Sequence, residues 1–166
     1  MGSPVVLIDV DGVLNPLKRG PGYQRYKCRP DGVTYKVWLN PAHGPMLCAL
    51  AEETGAELCW ASFWRNVAND WIAPRVGLPP IPHVPIPRHP QDCELSLGAW
   101  KAQHVAEWAG DAPFVWFEDE PDAPGSLAAE TGLPEHLLVA VDPVIGLTEE
   151  HIEVARSWLL ALGSPP

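Results

Sequence analysis

Lysine is scarce in this chain. Only Lys18, Lys27, Lys36 and Lys101 occur among 166 residues, so one lysine alone follows Lys36. No apolar run approaches the roughly 18 residues that cross a bilayer, which excludes a spanning helix. The cysteines, Cys28, Cys48, Cys59 and Cys93, form no CxxC pair and have no histidine at zinc-like intervals, which argues against a structural zinc site. They read as reduced thiols, with Cys48 and Cys59 packed in the core. Basic residues are also few, 11 against 21 acids, and the net charge of −10 argues against a surface that binds duplex nucleic acid broadly. Neither an internal repeat nor a low-complexity tail is present. The first strand-like run starts almost at the amino terminus, leaving no room for a signal peptide, and with the thiol pattern this implies a cytoplasmic protein. The length implies one domain over residues 1–166.

The basic residues that exist are not spread evenly. Six of the eleven, Lys18, Arg19, Arg25, Lys27, Arg29 and Lys36, fall between positions 18 and 36, where Asp31 is the only acid. They place a local positive field on an otherwise acidic protein. The same residues also suit a solvated hairpin without a ligand.

Residues 5–15 carry the most information. Val5-Val6-Leu7-Ile8 has the pattern of a strand buried on both faces, and it runs directly into Asp9-Val10-Asp11-Gly12. Ligands of open α/β sheets bind at the carboxyl ends of strands, where Asp9 and Asp11 fall. Two carboxylates held this close repel each other unless a cation, a proton or hydrogen-bond donors compensate them. Mg²⁺ is the natural hard cation for oxygen ligands. The competing reading is a solvated turn in which Asp-Gly only supplies turn chemistry.

Beyond this loop, Tyr23 to Arg29 and Val33 to Leu39 are β-prone runs around Pro30-Asp31-Gly32, which predicts a hairpin flap over residues 20–40. Asn40-Pro41 predicts an N-cap for a helix running to about Glu53 and ended by Gly55. Ala56 to Ala61 reads as a strand and Trp64 to Ile72 as a short helix. Residues 74–92 hold seven of the twenty prolines, at 74, 79, 80, 82, 85, 87 and 90, so this stretch reads as a long loop or lid, with His83 and His89 on its surface. A helix over Leu97 to Trp108, a strand over Pro113 to Phe117, a short helix over Ser126 to Thr131 and a strand over Leu137 to Val141 follow. Thr148 caps a last helix whose buried stripe is Ile152, Ala155, Trp158 and Leu159. Strands alternating with helices imply a doubly wound, Rossmann-like parallel sheet.

The stretch Asp9-Val10-Asp11-Gly12-Val13-Leu14 resembles the DxDG(V/T)(L/V) signature of the haloacid dehalogenase (HAD) superfamily, dominated by phosphohydrolases. Together with Trp60-Ala61-Ser62-Phe63-Trp64-Arg65-Asn66-Val67-Ala68-Asn69 and Asp142-Pro143-Val144-Ile145-Gly146-Leu147-Thr148, it is similar to the small capless HAD domains of bacterial RNA-repair proteins. The resemblance implies an α/β fold of the HAD type without a large cap domain. It implies that Asp9 is a nucleophile taking the phosphoryl group and Asp11 a general acid and base. Ser62, after the next core strand, is the implied donor to phosphoryl oxygens, although a serine there also serves as an N-cap. Lys101 is the implied cation beside the nucleophile; otherwise it is an exposed helix lysine. Val115-Trp116-Phe117-Glu118-Asp119-Glu120 supplies the last acidic motif, with Asp119 the direct metal ligand and Glu118 in the outer shell. The implied metal set is thus Asp9, the Val10 carbonyl, Asp11, Asp119 and Glu118, holding Mg²⁺. Asp122 is a weaker alternative that reads equally well as an N-cap. Trp64 and Asn66 are implied substrate contacts, reading equally well as part of a packed amphipathic helix; Arg25 is a candidate substrate contact from the basic hairpin rather than from the resemblance.

The expected activity is a Mg²⁺-dependent phosphomonoester hydrolase acting through an aspartyl phosphate, on nucleotide or nucleic-acid terminal phosphates. Two other functions fit the same residues: a small-metabolite phosphatase or phosphotransferase, and a non-catalytic phosphate-binding or protein-interaction module.

Overall fold

A computed structural model describes residues 2–163. In chain order the elements are β1 (Val5–Ile8), β2 (Gln24–Cys28), β3 (Tyr35–Leu39), α1 (His43–Thr54) and β4 (Glu57–Trp60). A 3₁₀ turn (Arg65–Val67) and the short helices α2 (Ala68–Trp71) and α3 (Ala73–Val76) follow. The rest are α4 (Leu97–Ala109), β5 (Phe114–Glu118), α5 (Ala123–Ala128), β6 (His136–Ala140) and α6 (Glu149–Ala161).

The sheet has the order β4-β1-β5-β6 and every neighbouring pair is parallel. Because side chains alternate along a strand, β1 feeds two cores. Val6 and Ile8 join Leu47 and Leu50 of α1 with Ile152 and Leu159 of α6 on one face. Val5 and Leu7 join Ala102 and Val105 of α4 with Leu127 of α5 on the other. Helices thus cover both faces, the doubly wound α/β arrangement that the run of apolar residues implies. β2 and β3 form a separate antiparallel hairpin, and no large cap interrupts the described residues. Cys59 and Cys28 are buried, and Cys48 is half-buried and packs against the core; all four thiols are free. No described helix is long and apolar enough to cross a membrane.

Several boundaries differ from expectation for local reasons. Asn40 does not cap α1; its side chain accepts the Ala42 N–H at 2.9 Å in a turn, and the helix starts at His43. The segment expected to be one helix over Trp64 to Ile72 is a 3₁₀ turn that runs into the short α2, and the left-handed Arg65, with a φ of 51°, opens that turn directly after Trp64. The proline-rich stretch is not a lid over its whole length. Pro74 enters α3 in its first turn, where a missing N–H costs nothing. Asn69 accepts the Ile81 N–H and the Trp60 indole N–H and donates to the Ile81 carbonyl, tying the segment down. Trp60 then bonds through its backbone to Pro82 and Val84, leaving Val84 and Ile86 fully buried along the β4 edge. The helix expected at Ser126 begins earlier, at Ala123, with Pro124 in its first turn. Thr148 caps α6 as expected, in a capping box completed by His151.

His43, at the start of α1, is buried against Tyr23, and its Nε2 donates to the Leu147 carbonyl at 3.1 Å. Burial pushes its pKa down from 6.5 to about 4, with the Leu147 bond opposing. The folded value lies below the unfolded one, so the neutral ring contributes its stability in full above about pH 6.5. That contribution is lost as the pH falls toward 4, because only the unfolded chain takes up the proton in between. A shift of this size corresponds to about 3 kcal/mol. His43→Gln keeps a donor for Leu147 and is expected to flatten this acid limb in denaturation curves taken between pH 7 and 4. An unaltered slope in the variant would show that His43 titrates alike in the folded and unfolded chain.

Candidate active site

Strand register brings the motif residues to one edge of the sheet. Ile8 lies between Trp60 and Phe117, so Asp9, Ala61 and Glu118 follow at the next level and Val10, Ser62 and Asp119 at the one beyond. The Asp9 N–H donates to the Phe117 carbonyl at 3.3 Å and the Ala61 N–H to the Ile8 carbonyl at 2.8 Å, which extends this registration past the strand ends. Gly12 turns the chain with a φ of 85°. A Cβ there would sit 2.2 Å from Oδ2 of Asp119, so the absence of a side chain lets that carboxylate lie directly against the loop.

Asp9, Glu118 and Asp119 place carboxylate oxygens within 4.8 Å of one another. Lys101, projecting from α4 and 2% exposed, is the cation among them: its Nζ lies 3.0 Å from Oδ2 of Asp9 and is ion-paired with Glu118. The Phe63 ring covers the ammonium at 5.8 Å. Three carboxylates thus face one ammonium in a region where Asp9 and Glu118 are also buried. The protonation preferences follow from that imbalance. Burial pushes Asp9 well above the usual carboxylate range, Glu118 adds to it, and Lys101 offsets only part. Asp119 is pushed up to about 7, by burial first and then by its hydrogen bond to Asp9. Burial likewise raises Glu118 against the pull of Lys101. Burial would lower Lys101, but Asp9 and Glu118 outweigh it and hold the ammonium charged.

Asp11 faces another way. It is exposed, with Oδ1 accepting from Asn15 Nδ2 at 2.8 Å and Oδ2 from Trp64 Nε1 at 2.9 Å. Ser62 is buried beside the β4 end, and its Oγ accepts the Trp64 N–H at 3.1 Å, which leaves the hydroxyl proton free to donate. Strand pairing puts Arg25 opposite Trp38 and Lys27 opposite Lys36, so these four share the hairpin face turned away from buried Cys28, Val37 and Leu39. The Trp38 ring carries the guanidinium groups of Arg19 at 5.7 Å and Arg25 at 5.8 Å.

The family model described as the HAD domain in Swiss Army Knife RNA repair proteins matches residues 5–152. The chain belongs to this family. No curated protein and no solved structure matches it. At the superfamily level it is a HAD-type phosphohydrolase, and its acidic edge is the place to test for the Mg²⁺ that HAD proteins generally use. The donor set fits: oxygen-only ligands within 4.8 Å of one another, with more negative charge than the one lysine offsets, which a dication would compensate.

Two ligands expected for this HAD domain are not where the expectation put them. The Val10 carbonyl accepts the N–H groups of Val13, Leu14 and Asn15, at 2.9 to 3.2 Å, and is taken up by the turn. The Asp11 carboxylate lies outside the acidic cluster, held by Asn15 and Trp64. Glu118 is engaged from both sides, its Oε1 accepting the N–H groups of Asp119 and Glu120 and its Oε2 paired with Lys101. Trp64 is buried rather than lining an open pocket, and Asn66 is exposed and outside the cluster. Asp122 sits at the α5 cap position without a side-chain cap bond, packed over Gly98. Sequence reasoning passed over Asn15, which only its place four residues after Asp11 could have signalled.

Proposed function

We propose that the chain is a Mg²⁺-dependent phosphomonoester hydrolase that works through a phosphoryl group carried on Asp9. The observation that carries this reading is the meeting of three carboxylates, Asp9 and Glu118 buried and Asp119 half-buried, around one buried lysine ammonium at the carboxyl edge of the sheet. Asp9 and Asp119 would hold the metal, and Glu118 would keep Lys101 in place. When bound, Mg²⁺ supplies Lewis-acid neutralisation of the phosphoryl oxygens and of the carboxylates around them.

In the first step an Asp9 oxygen forms a bond to phosphorus as the bond to the leaving oxygen breaks, and Asp11 gives that oxygen a proton. In the second, Asp11 takes a proton from the water that attacks phosphorus, the bond to Asp9 breaks, and inorganic phosphate leaves with the carboxylate restored. Lys101 offsets the negative charge that gathers beside Asp9, and Ser62 donates to a phosphoryl oxygen.

For the substrate, the hairpin face of Arg25, Lys27, Lys36 and Trp38, with Arg19 on the same ring, supports a terminal phosphate on a nucleotide or single-stranded nucleic acid. Cations gathered around a half-buried aromatic ring suit a phosphate backbone and its bases. The test is phosphate release from 5′- and 3′-phosphorylated oligonucleotides, nucleotides and sugar phosphates, with Mg²⁺ or with chelator. Release is expected only with Mg²⁺ and fastest on oligonucleotide ends. Replacing Arg25, Lys27 and Lys36 together by glutamine is expected to lower kcat/KM on oligonucleotides by about 10-fold or more at low salt and to leave sugar phosphates unaffected. Silence on every phosphoester overturns the hydrolase reading, whereas equal turnover of oligonucleotides by the triple variant removes the hairpin's role.

A further inference from the structure

Asp11 is an exposed side chain on a turn, yet a group that hands a proton to a leaving oxygen must point at it in every turnover. Two neutral donors fix it, Asn15 Nδ2 on one oxygen and Trp64 Nε1 on the other. We propose that Asn15 and Trp64 are positioning residues for proton transfer by Asp11, and that the hairpin sets this geometry through both of them. The proposal rests on the hydrolase reading above, because it assigns a part in that reaction.

The Asn15 amide leaves no freedom. Its oxygen accepts the backbone N–H of Trp38, in β3, at 2.8 Å, and an N–H can only donate, so the NH₂ end must face Asp11. Asn15 therefore links the hairpin backbone to the carboxylate directly. Trp64 is held from the same strand: the Tyr35 ring meets its indole edge-on at 5.7 Å. On its other side the Trp64 N–H is bonded to Ser62 Oγ, and the next residue, Arg65, is the one described non-glycine residue with positive φ. A left-handed arginine strains the backbone, and it persists where the surroundings hold it. Amide and indole N–H groups neither take nor lose a proton at neutral pH, so they orient Asp11 without competing for the proton it moves. Each Asp11 oxygen retains a further lone pair for substrate or water.

The decisive comparison is between leaving groups. An alkoxide needs the proton from Asp11 as its bond to phosphorus breaks, whereas 4-nitrophenolate leaves without one. Asn15→Ala and Trp64→Phe are expected to slow the first turnover of an alkyl phosphate by about 10- to 100-fold. The nitrophenolate burst, which reports transfer to Asp9 alone, is expected to change less than about 3-fold. Asn15→Asp keeps an acceptor for the Trp38 N–H but loses the donor to Asp11, and should behave as Asn15→Ala. Trp64→Phe keeps the ring against Tyr35, so it covers the case in which Asn15 variants fold poorly. Parallel losses on both substrates would show that these residues only hold the loop, and unchanged alkyl turnover would show that they do nothing for Asp11; either overturns the proposal. A wild-type chain that yields neither burst nor turnover overturns the hydrolase reading itself.

Discussion

Asp9→Asn is expected to release no measurable phosphate from any phosphoester that the wild-type chain hydrolyses, a loss of at least about 10⁴-fold. The amide oxygen is too weak a nucleophile to accept a phosphoryl group, and no other carboxylate in the cluster can replace it. Within the cluster Glu118 is tied to Lys101 and to two backbone N–H groups and Asp119 is assigned to the metal, while Asp11, outside it, points toward Asn15 and Trp64. The same substitution is expected to stabilise the metal-free fold. Asp9 ionises reluctantly because of burial and Glu118, so above the unfolded carboxylate range its charge works against folding, and the neutral amide relieves that. Melting measured near pH 7.5 without Mg²⁺ should therefore rise by a few degrees, while the further rise that Mg²⁺ produces in the wild type disappears. Turnover by Asp9→Asn at a rate near wild type would remove Asp9 from the nucleophile's role. A preserved Mg²⁺ response would remove it from the metal site.

Lys101→Met is expected to have the largest effect on folding. It removes the ammonium from a group of three carboxylates and leaves the methylene stem in its buried slot. Removing one partner of a buried pair costs about 3–5 kcal/mol, because the charges left behind have neither water nor a counterion. For a chain of this size that is on the order of 10 °C in melting temperature, measured without Mg²⁺. Turnover should fall by about 10²- to 10³-fold even where the fold is rescued by cooling, since the cation beside the transferring phosphoryl group is gone. Lys101→Met with Glu118→Gln separates the two contributions. The second change removes one of the two carboxylates paired with Lys101, so it should restore part of the melting temperature and none of the turnover. A single variant that melts and turns over as the wild type does would show the ion pairs to be incidental.

The acidic edge was unusually legible. A strand buried on both faces must be apolar throughout, so Val5–Ile8 stands out, and the first polar side chain after it, Asp9, has to fall at the sheet edge. The same rule places Glu118 and Asp119 after Phe114–Phe117. Lys101 stood out because lysine is so rare after Lys36. The ligand carbonyl was not legible, since whether Val10 is free depends on how tightly residues 10–15 wind, and three N–H groups converge on it. Which of the two readings of Trp64 holds was not legible either: helical periodicity gives a face, and the left-handed Arg65 turns the chain directly after Trp64, which packs in the core while its indole reaches Asp11.

By itself the sequence determined the class of fold, the order of the motifs along it and the kinds of side chain gathered for chemistry, because burial periods and strand ends are local properties of the chain. Only the tertiary structure decided which groups share charge and which orient one another. Asp11 meets Trp64 across 53 positions, Asn15 meets Trp38 across 23, and the proline-rich segment lies along β4 because Asn69 reaches Ile81. Those partners are set by the hydrogen-bond needs of loops that the sheet brings together from distant parts of the chain, and no local pattern records them.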